Sequence, residues 1–154
     1  MILNACHRPD DEAASFGILL RQVRDLSRAA LEAELAAAGH ELTFSQYITL
    51  KKLAMGCSSP GELARAADLN PGAMTRLLDQ LEAKGLLRRE ADPDDRRALR
   101  IELDASAEAL MPSIRSCGRR VLARAQQGLS EAEQAEFQRM LERVRDNLLD
   151  ARTG

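Results

Sequence analysis

Residues 70–103 read NPGAMTRLLDQLEAKGLLRREADPDDRRALRIEL, and their hydrophobic period changes partway along. In the first half, apolar side chains recur at the three- and four-residue spacing of one helical face: Met74, Leu77, Leu78 and Leu81. After Gly85, apolar and polar residues alternate, and the turn-forming DPDD interrupts the alternation. The stretch therefore predicts a helix over about 70–84 and a two-stranded β-hairpin over about 86–103.

Two shorter helices are predicted immediately before this stretch from their N-terminal signals. Thr43 and Gln46 have capping-box spacing, which predicts a helix over about 44–55. Ser59 can cap a further short helix that opens on Pro60, where a missing N–H costs nothing. A three-residue connection then leads to the helix that carries the apolar face. This order of helix, tight turn, helix and ribbon is typical of a winged helix-turn-helix, whose second helix enters the DNA major groove.

Longer helices with apolar stripes are predicted on both sides of this core, over about 11–38, 105–127 and 130–150. The stripe of the first helix consists of Phe16, Leu19, Val23, Leu26 and Ala30. The stripe of the last helix consists of Phe137, Leu141, Val144 and Leu148. A small core with a ribbon cannot cover all of these faces, so we expect the same helices of a second chain to cover them in a homodimer.

The sequence thus predicts a mainly α fold in three parts. Residues 1–40 supply the N-terminal helix of the dimerisation region, and residues 41–104 form the winged helix-turn-helix DNA-binding lobe with its two-stranded wing. Residues 105–154 supply the C-terminal dimerisation helices. With 154 residues, 45% of them apolar, the chain is long enough to bury a hydrophobic core.

The outward face of the predicted recognition helix, about 70–84, begins with small and polar residues, which allow close approach to a groove. Arg76 can form two hydrogen bonds to guanine, and a wing arginine can enter a narrow minor groove. Exposed Arg and Gln are also ordinary solvated residues, and strand alternation lets only one of Arg96 and Arg97 point outward while the other pairs with Asp94 or Asp95. We predict DNA contacts from Ser59, Asn70, Gly72, Ala73, Thr75, Arg76, Gln80, Arg96 and Arg97.

The overall charge does not favour nucleic acid, because 22 basic and 24 acidic residues give a formal net charge of −2. Residues 70–89 carry a local excess of two positive charges, from four basic and two acidic side chains. The charge pattern therefore leaves a rival open, a winged helix used for protein interaction with no operator of its own.

The run over residues 70–103 resembles the recognition helix and wing of the MarR family, through the spacing of TR, LE, KG and DDRR. The similarity extends to LTFSQYITLKKLA, to SPGELARAADL and to the N- and C-terminal helices. The resemblance implies that Arg76 is the recognition-helix arginine, and that Arg97 is the wing arginine supported by Asp95. It also implies a dimer, in many members a repressor, whose affinity for a palindromic operator falls when a small phenolic or aromatic acid binds or a thiol is oxidised.

The resemblance further implies a ligand pocket between the dimer helices and the DNA-binding lobe. Positions that match it are Arg21, Arg24, His40, Phe44 and Tyr47. An anionic aromatic ligand would need such an arginine. The alternative is that the arginines are solvated and that Phe44 is part of the core.

Cys6, Cys57 and Cys117 form an odd set without a CxxC pair, which favours a reducing compartment and ordinary thiols. Peroxide-sensing relatives carry a reactive cysteine near the start of the first helix, whereas DEAASFGILL contains none. A thiol-controlled regulator stays an alternative. Cys6, His7 and Asp10 are metal ligands by type, but their adjacency argues against a tetrahedral site, so we expect no metal and no cofactor.

The sequence does not favour catalysis or a membrane location. Two isolated histidines and the lack of a Gly-rich phosphate motif supply no catalytic set, so we expect no enzyme. No stretch approaches the roughly 20 apolar residues of a membrane span. The first residues have no signal-peptide pattern, so we expect a cytoplasmic protein whose partners are double-stranded DNA and a second copy.

Overall fold

The structure is a computed structural model that describes residues 12–95 and 97–151. Its elements are α1 (Glu12–Ala37), α2 (Phe44–Leu53), α3 (Pro60–Ala67), α4 (Pro71–Ala83), β1 (Leu87–Ala91), β2 (Leu99–Leu103), α5 (Ala105–Ala125) and α6 (Glu131–Asp150). The predicted fold class is confirmed, with helix ends within about two residues of the predicted ones.

Three side chains begin the helices of the central lobe as their spacing predicts. Thr43 Oγ1 accepts a hydrogen bond from the backbone N–H of Gln46, and Gln46 Oε1 accepts one from the N–H of Thr43, which completes a capping box at α2. Ser59 caps α3 and Asn70 caps α4, each through its side-chain oxygen. These local contacts explain why sequence patterns located the helices well.

The tight turn between α3 and α4 depends on Asp68, which caps the C-terminus of α3. Its backbone is left-handed, with φ 54°, and it is the one non-glycine residue with positive φ in the described part of the chain. Aspartate tolerates this conformation better than most side chains because its short polar group can bond locally. The turn redirects the chain so that α4 follows α3 after a three-residue connection.

The hydrophobic core of the lobe is formed by one face of each surrounding element. All four apolar residues predicted for the inner face of α4 are buried: Met74, Leu77, Leu78 and Leu81. They pack in one cluster with residues of α1, α2, α3, β2 and α5: Leu35, Leu50, Leu63, Ile101 and Ile114. This packing leaves the opposite face of α4 to solvent.

The ribbon pairs β1 with β2 in antiparallel register, with Leu87 opposite Leu103 and Ala91 opposite Leu99. The backbone N–H of Ile101 also donates to the carbonyl of Ser58 at 2.9 Å, so the segment before α3 adds a hydrogen bond to the outer side of β2. Because β2 begins only at Leu99, Arg97 belongs to the turn. The strand alternation that we expected to extend through Arg97 therefore does not decide its direction.

The chain divides into two compact units, one that extends to Val121 and one that begins at Leu122. In the first unit, α1 exposes large apolar side chains: Phe16, Ile18, Leu19, Leu20, Val23 and Leu26. In the second unit, no residue of α6 is buried, and Phe137, Met140, Leu141, Leu148 and Leu149 are exposed. No helix among the described residues is long and apolar enough to cross a membrane.

The capping box of α6 predicts a contribution to stability that depends on pH. The backbone N–H and hydroxyl of Ser130 both donate to Glu133 Oε2, at 2.7 and 2.8 Å, and these bonds lower the pKa of the Glu133 carboxyl below its ordinary value of 4.5. Because the folded-state pKa is depressed, the cap stabilises α6 above the unfolded-state pKa, and this stabilisation is lost as the pH falls through the folded-state value. Titration of the Glu133 carboxyl by NMR is expected to give a pKa below 4.5. Glu133→Gln is the control, because its side chain keeps an acceptor at this position without titrating. A pKa of the Glu133 carboxyl at or above the ordinary value would contradict the prediction.

Candidate nucleic-acid interface

The solvent face of α4 presents the polar side chains that the sequence singled out. Thr75, Arg76 and Gln80 are all exposed, and Arg76 and Gln80 lie one helical turn apart. Among the described residues, the Arg76 guanidinium has no hydrogen-bond or ion-pair partner, so all of its donors are available to a ligand. The Thr75 hydroxyl donates to the carbonyl of Pro71 at 3.0 Å, so in this geometry Thr75 offers an acceptor oxygen and a methyl group instead of a donor.

The wing is joined to α4 by Arg89 of β1. Its guanidinium donates to Asp79 Oδ1 at 2.6 Å, lies 3.5 Å from Glu82 Oε2, and reaches the carbonyl of Thr75 at 3.4 Å. The Arg89 side chain is only 22% exposed, so solvent screens this cluster less than an open surface pair. The contacts fix the ribbon against the recognition helix.

The local positive excess predicted over residues 70–89 is mostly neutralised by such pairing. Besides Arg89, Arg88 pairs with Glu102 and Glu90, at 2.8 and 3.0 Å, and these neighbours raise the pKa of its guanidinium. Lys84 Nζ donates to the carbonyl of Glu41 at 2.6 Å. Of the four basic residues counted there, Arg76 alone has no partner within the described part of the chain.

The turn of the wing is held by two aspartates that bond to the backbone. Asp92 Oδ1 accepts hydrogen bonds from the N–H groups of Asp94 and Asp95, at 2.8 and 3.2 Å. Asp95 Oδ1 accepts one from the N–H of Arg97 at 2.9 Å, so Asp95 supports Arg97 through its backbone and not through its guanidinium. The Arg97 side chain is exposed and pairs with no described residue. Arg96 lies outside the described residues.

Asp92 was not among the predicted site residues, although the sequence carries a signal for its role. An aspartate at the first position of a turn often accepts hydrogen bonds from backbone N–H groups two and three residues ahead. Asp92 occupies this position before Pro93. It orders the turn from which Arg97 projects into solvent.

The remaining predicted DNA contacts lie at helix starts. Ser59 Oγ accepts from the N–H of Glu62 at 3.2 Å, and Asn70 Oδ1 accepts from the N–H of Ala73 at 2.8 Å. Gly72 is exposed and Ala73 is half-buried in the first turn of α4. The oxygens of Ser59 and Asn70 therefore have structural roles as helix caps in this geometry.

Removal of the α4 cap is expected to destabilise the lobe. Asn70→Ala loses the hydrogen bond to the Ala73 N–H, and loss of such a cap costs about 1 kcal/mol of unfolding free energy. Asn70→Ser is the matched control, because serine supplies a similar acceptor. Urea denaturation should give a lower midpoint for the alanine variant than for the serine variant, and equal midpoints would contradict the capping role.

Within one chain, the two arginines predicted for a ligand pocket lie far from the cavity beside His40. His40 Nε2 lies 2.7 Å from Ser113 Oγ beside a cavity of about 410 Å³. Arg21 and Arg24 lie in the first half of α1, and at 1.5 Å rise per residue Arg24 is about 20 Å along the helix from its end at Ala37. The two arginines therefore do not reach the His40 cavity of their own chain.

Phe44 and Tyr47, the other two predicted pocket residues, both lie on α2. The Arg28 guanidinium lies 5.1 Å from the centroid of the half-buried Phe44 ring. Tyr47 is buried, and burial together with the nearby Cys117 raises the pKa of its phenol. Cys117 is fully buried and Cys57 is half-buried.

The residues considered above as metal ligands by type are not among the described residues. Cys6, His7 and Asp10 lie outside the described residues. Within residues 12–95 and 97–151, no cluster of His, Cys, Asp and Glu is arranged to hold a metal ion.

The geometry defines a class of protein. Helix α3, a left-handed turn at Asp68, helix α4 with an exposed arginine, and a ribbon tied to α4 make up a winged helix-turn-helix, the architecture in which the second helix can enter the DNA major groove.

Comparison with known proteins identifies the family. Residues 42–99 match the MarR family. The chain is 36% identical over 139 residues to the HTH-type transcriptional repressor Rv2887 of Mycobacterium tuberculosis, a match that covers 85% of this chain and 94% of that relative. It is also 36% identical to the transcriptional regulator PA3341, whose crystal structure it matches with a TM-score of 0.78 over 88% of this chain and 98% of that one.

A mutant of MarR from Escherichia coli, solved in complex with operator DNA, shares the fold with a TM-score of 0.77 and 24% identity over 90% of this chain and 99% of that one. The chain belongs to the MarR family of transcription regulators, as its resemblance to that family predicted. Members of this family regulate transcription and are not enzymes, so the prediction that the chain is no enzyme is confirmed.

Proposed function

We propose that this regulator is a homodimeric repressor that binds a palindromic operator and releases it when a small aromatic or phenolic ligand binds. The main support is Arg76, an exposed guanidinium without a partner among the described residues, at the middle of the recognition helix α4. Such a group can bond guanine in two places or neutralise a phosphate. The relative Rv2887 of Mycobacterium tuberculosis is named a transcriptional repressor, which agrees with this direction of control.

The DNA surface of this proposal combines α4 with the wing. Arg76 and Gln80 would contact base edges, and Arg97 would enter the adjacent minor groove or contact phosphate. Asp95 and Asp92 would hold the turn that carries Arg97. Because its proposed partner is double-stranded operator DNA, we expect the protein to act in the cytoplasm, in the same compartment as that DNA.

The apolar faces of α1 and α6 support the homodimer. Both faces are rich in exposed large apolar side chains, and proteins that stay monomeric rarely expose several contiguous patches of this kind. A second copy presents the same apolar faces and can cover them under two-fold symmetry. Two recognition helices about 34 Å apart would then read successive major grooves.

Fluorescence anisotropy with labelled duplex DNA tests the operator-binding function. Duplex from upstream of the chain's own gene and scrambled duplex of the same composition are titrated at fixed salt, and tight binding to the first alone is expected. Specific affinity should fall about 1,000-fold or more between about 50 and 200 mM salt, because bound phosphates release counterions. A flat salt response, with weak binding to every duplex, would instead favour a winged helix used for protein interaction.

The cavity beside His40 supports the proposed ligand response. Its volume of about 410 Å³ suits a small aromatic molecule, and its apolar walls include Leu42, Leu86 and Ile114. His40 and Lys84 supply polar groups to its lining. Lys84 also caps the C-terminus of α4, so occupancy of the cavity could shift the recognition helix.

Salicylate serves as an aromatic-acid probe for this response. It is expected to raise the melting temperature of the free protein and to lower its affinity for operator, because a ligand that binds one state stabilises that state. Loss of both effects in His40→Ala, with folding intact, would support the cavity as the site. If the effects are lost in Arg21→Ala or Arg24→Ala but not in His40→Ala, the response is assigned to α1. If salicylate leaves the operator affinity of the wild-type protein and of every variant unchanged, this class of ligand is rejected.

A further inference from the structure

The capping box of α2 also contacts the recognition helix α4, through Gln46. Gln46 Oε1 accepts a hydrogen bond from the backbone N–H of Thr43 at 3.1 Å. Gln46 Nε2 donates to Gln80 Oε1 at 3.1 Å. Gln46 is only 4% exposed, whereas Gln80 lies on the solvent face of α4. A buried amide therefore joins the start of one helix to the outward face of another.

These bonds determine which end of the Gln80 amide faces outward. A backbone N–H can only donate, so the Gln46 atom that it meets must be the oxygen. The Gln46 amide nitrogen is then left to face α4, and it requires an acceptor from Gln80. Gln80 must present Oε1 to Gln46, because two NH₂ groups placed face to face would leave one donor of a buried amide without an acceptor. The Gln80 NH₂ is consequently directed away from α2.

We propose that Gln46 is a positioning residue that holds the Gln80 amide with its NH₂ toward the major groove, so that Gln80 selects a base edge that carries only acceptors. This inference rests on the proposed operator binding. In the major groove, guanine and thymine present acceptors without a donor, whereas adenine and cytosine each present an amino donor. Gln80 therefore favours guanine or thymine at the base that it faces in each half-site.

Gln46→Glu reverses this arrangement with little change to the helix start. Glutamate at this position preserves a capping box, since its carboxylate also accepts from the Thr43 N–H, and a negative charge in the first turn of a helix is favourable. The second carboxylate oxygen faces Gln80 and accepts hydrogen bonds only. Gln80 must then turn its NH₂ inward and its Oε1 outward, which favours adenine or cytosine.

Selection from a pool of duplexes tests the reversal. The pool is randomised over about 20 base pairs, enough for two half-sites one helical turn apart, and bound duplexes are sequenced for each variant. At one symmetric pair of positions, Gln46→Glu is expected to lower the ratio of guanine plus thymine to adenine plus cytosine among the bound duplexes. The expected decrease is about 3- to 10-fold, the size of effect that one exchanged hydrogen bond produces. The salt dependence of binding should stay unchanged, because no phosphate contact is altered.

Three further variants control the test. Gln80→Ala should lose the preference at that pair of positions and should make Gln46→Glu without effect in the double variant. Gln46→Met keeps the length and burial of the side chain but frees the Gln80 amide to rotate, so it should weaken the preference without reversing it. It also keeps the proposal testable if Gln46→Glu lowers the melting temperature too far for binding experiments.

The outcomes separate this inference from the function on which it rests. If wild-type protein enriches no sequence, the proposed operator binding is wrong and the inference is overturned with it. If wild-type protein enriches a palindrome but Gln80→Ala leaves every position unchanged, Gln80 does not read the operator. If Gln80→Ala removes a preference that Gln46→Glu and Gln46→Met leave intact, Gln80 reads DNA without control by Gln46.

Discussion

Val23→Glu is expected to separate the proposed dimer into monomers and to lower operator affinity by at least about 100-fold, because each monomer can then engage one half-site only. Val23 lies at the centre of the apolar stripe of α1 and is 50% exposed. A glutamate there would bury a charge in the dimer interface without a partner, which is costly. In the separate chain the same side chain stays in solvent, so the fold of the lobe should survive.

Gly17→Glu is the matched control for this substitution. It adds the same charge to the same helix at an exposed position with open space around it, at least about 100° of helical rotation from every residue of the stripe. Light scattering at micromolar concentration should give a dimer mass for wild type and Gly17→Glu, and a monomer mass for Val23→Glu. A monomer mass for wild-type protein would reject the homodimer, and a dimer mass for Val23→Glu would move the interface away from this face of α1.

Arg76→Ala is expected to reduce discrimination between operator and scrambled DNA by about 10- to 100-fold for each half-site, equivalent to about 1–3 kcal/mol. Arg76 has no hydrogen-bond or ion-pair partner among the described residues, so its removal breaks no internal polar interaction and leaves no buried group unsatisfied. The change should therefore appear in DNA affinity and not in the melting temperature. Anisotropy titrations against both duplexes measure it.

Arg97→Ala supplies a contrast on the same surface. A wing arginine that contacts phosphate or the minor groove carries less sequence information than a base contact in the major groove, so both duplexes should lose affinity by a similar factor. The salt slope should also become less steep. Equal losses on both duplexes in Arg76→Ala would instead make Arg76 a phosphate contact, and no loss in either variant would exclude this face from DNA binding.

Much of the candidate interface could be predicted from the sequence, because the signals are local. The inner face of α4 follows from the spacing of apolar residues along one helix, and its outward face follows by exclusion. Likewise, Ser59 and Asn70 carry the caps that their neighbours predict. Such patterns involve residues within four positions of each other, so a single sequence contains them completely.

The excess of positive charge predicted for residues 70–89 is a feature that the sequence alone could not predict correctly. Counting charges treats Arg88, Arg89 and Lys84 as free, whereas each is engaged by an acceptor that the fold supplies. The acceptors include Glu102, 14 residues from Arg88 along the chain, and the carbonyl of Glu41, 43 residues from Lys84. A pattern of neighbouring residues contains no information about partners that lie this far apart along the chain.

The sequence by itself determined the order of the elements, the bounds of the helices, the outer limits of the ribbon, and the faces that α4 buries and exposes. Caps, turns and apolar periodicity encode these features over a few residues. Only the tertiary structure decided which charges stay free and how the Gln80 amide is turned, through a hydrogen bond that spans 34 residues. The physical reason is that hydrogen bonds and ion pairs form between whichever side chains packing brings within about 3 Å, whatever their separation in the chain.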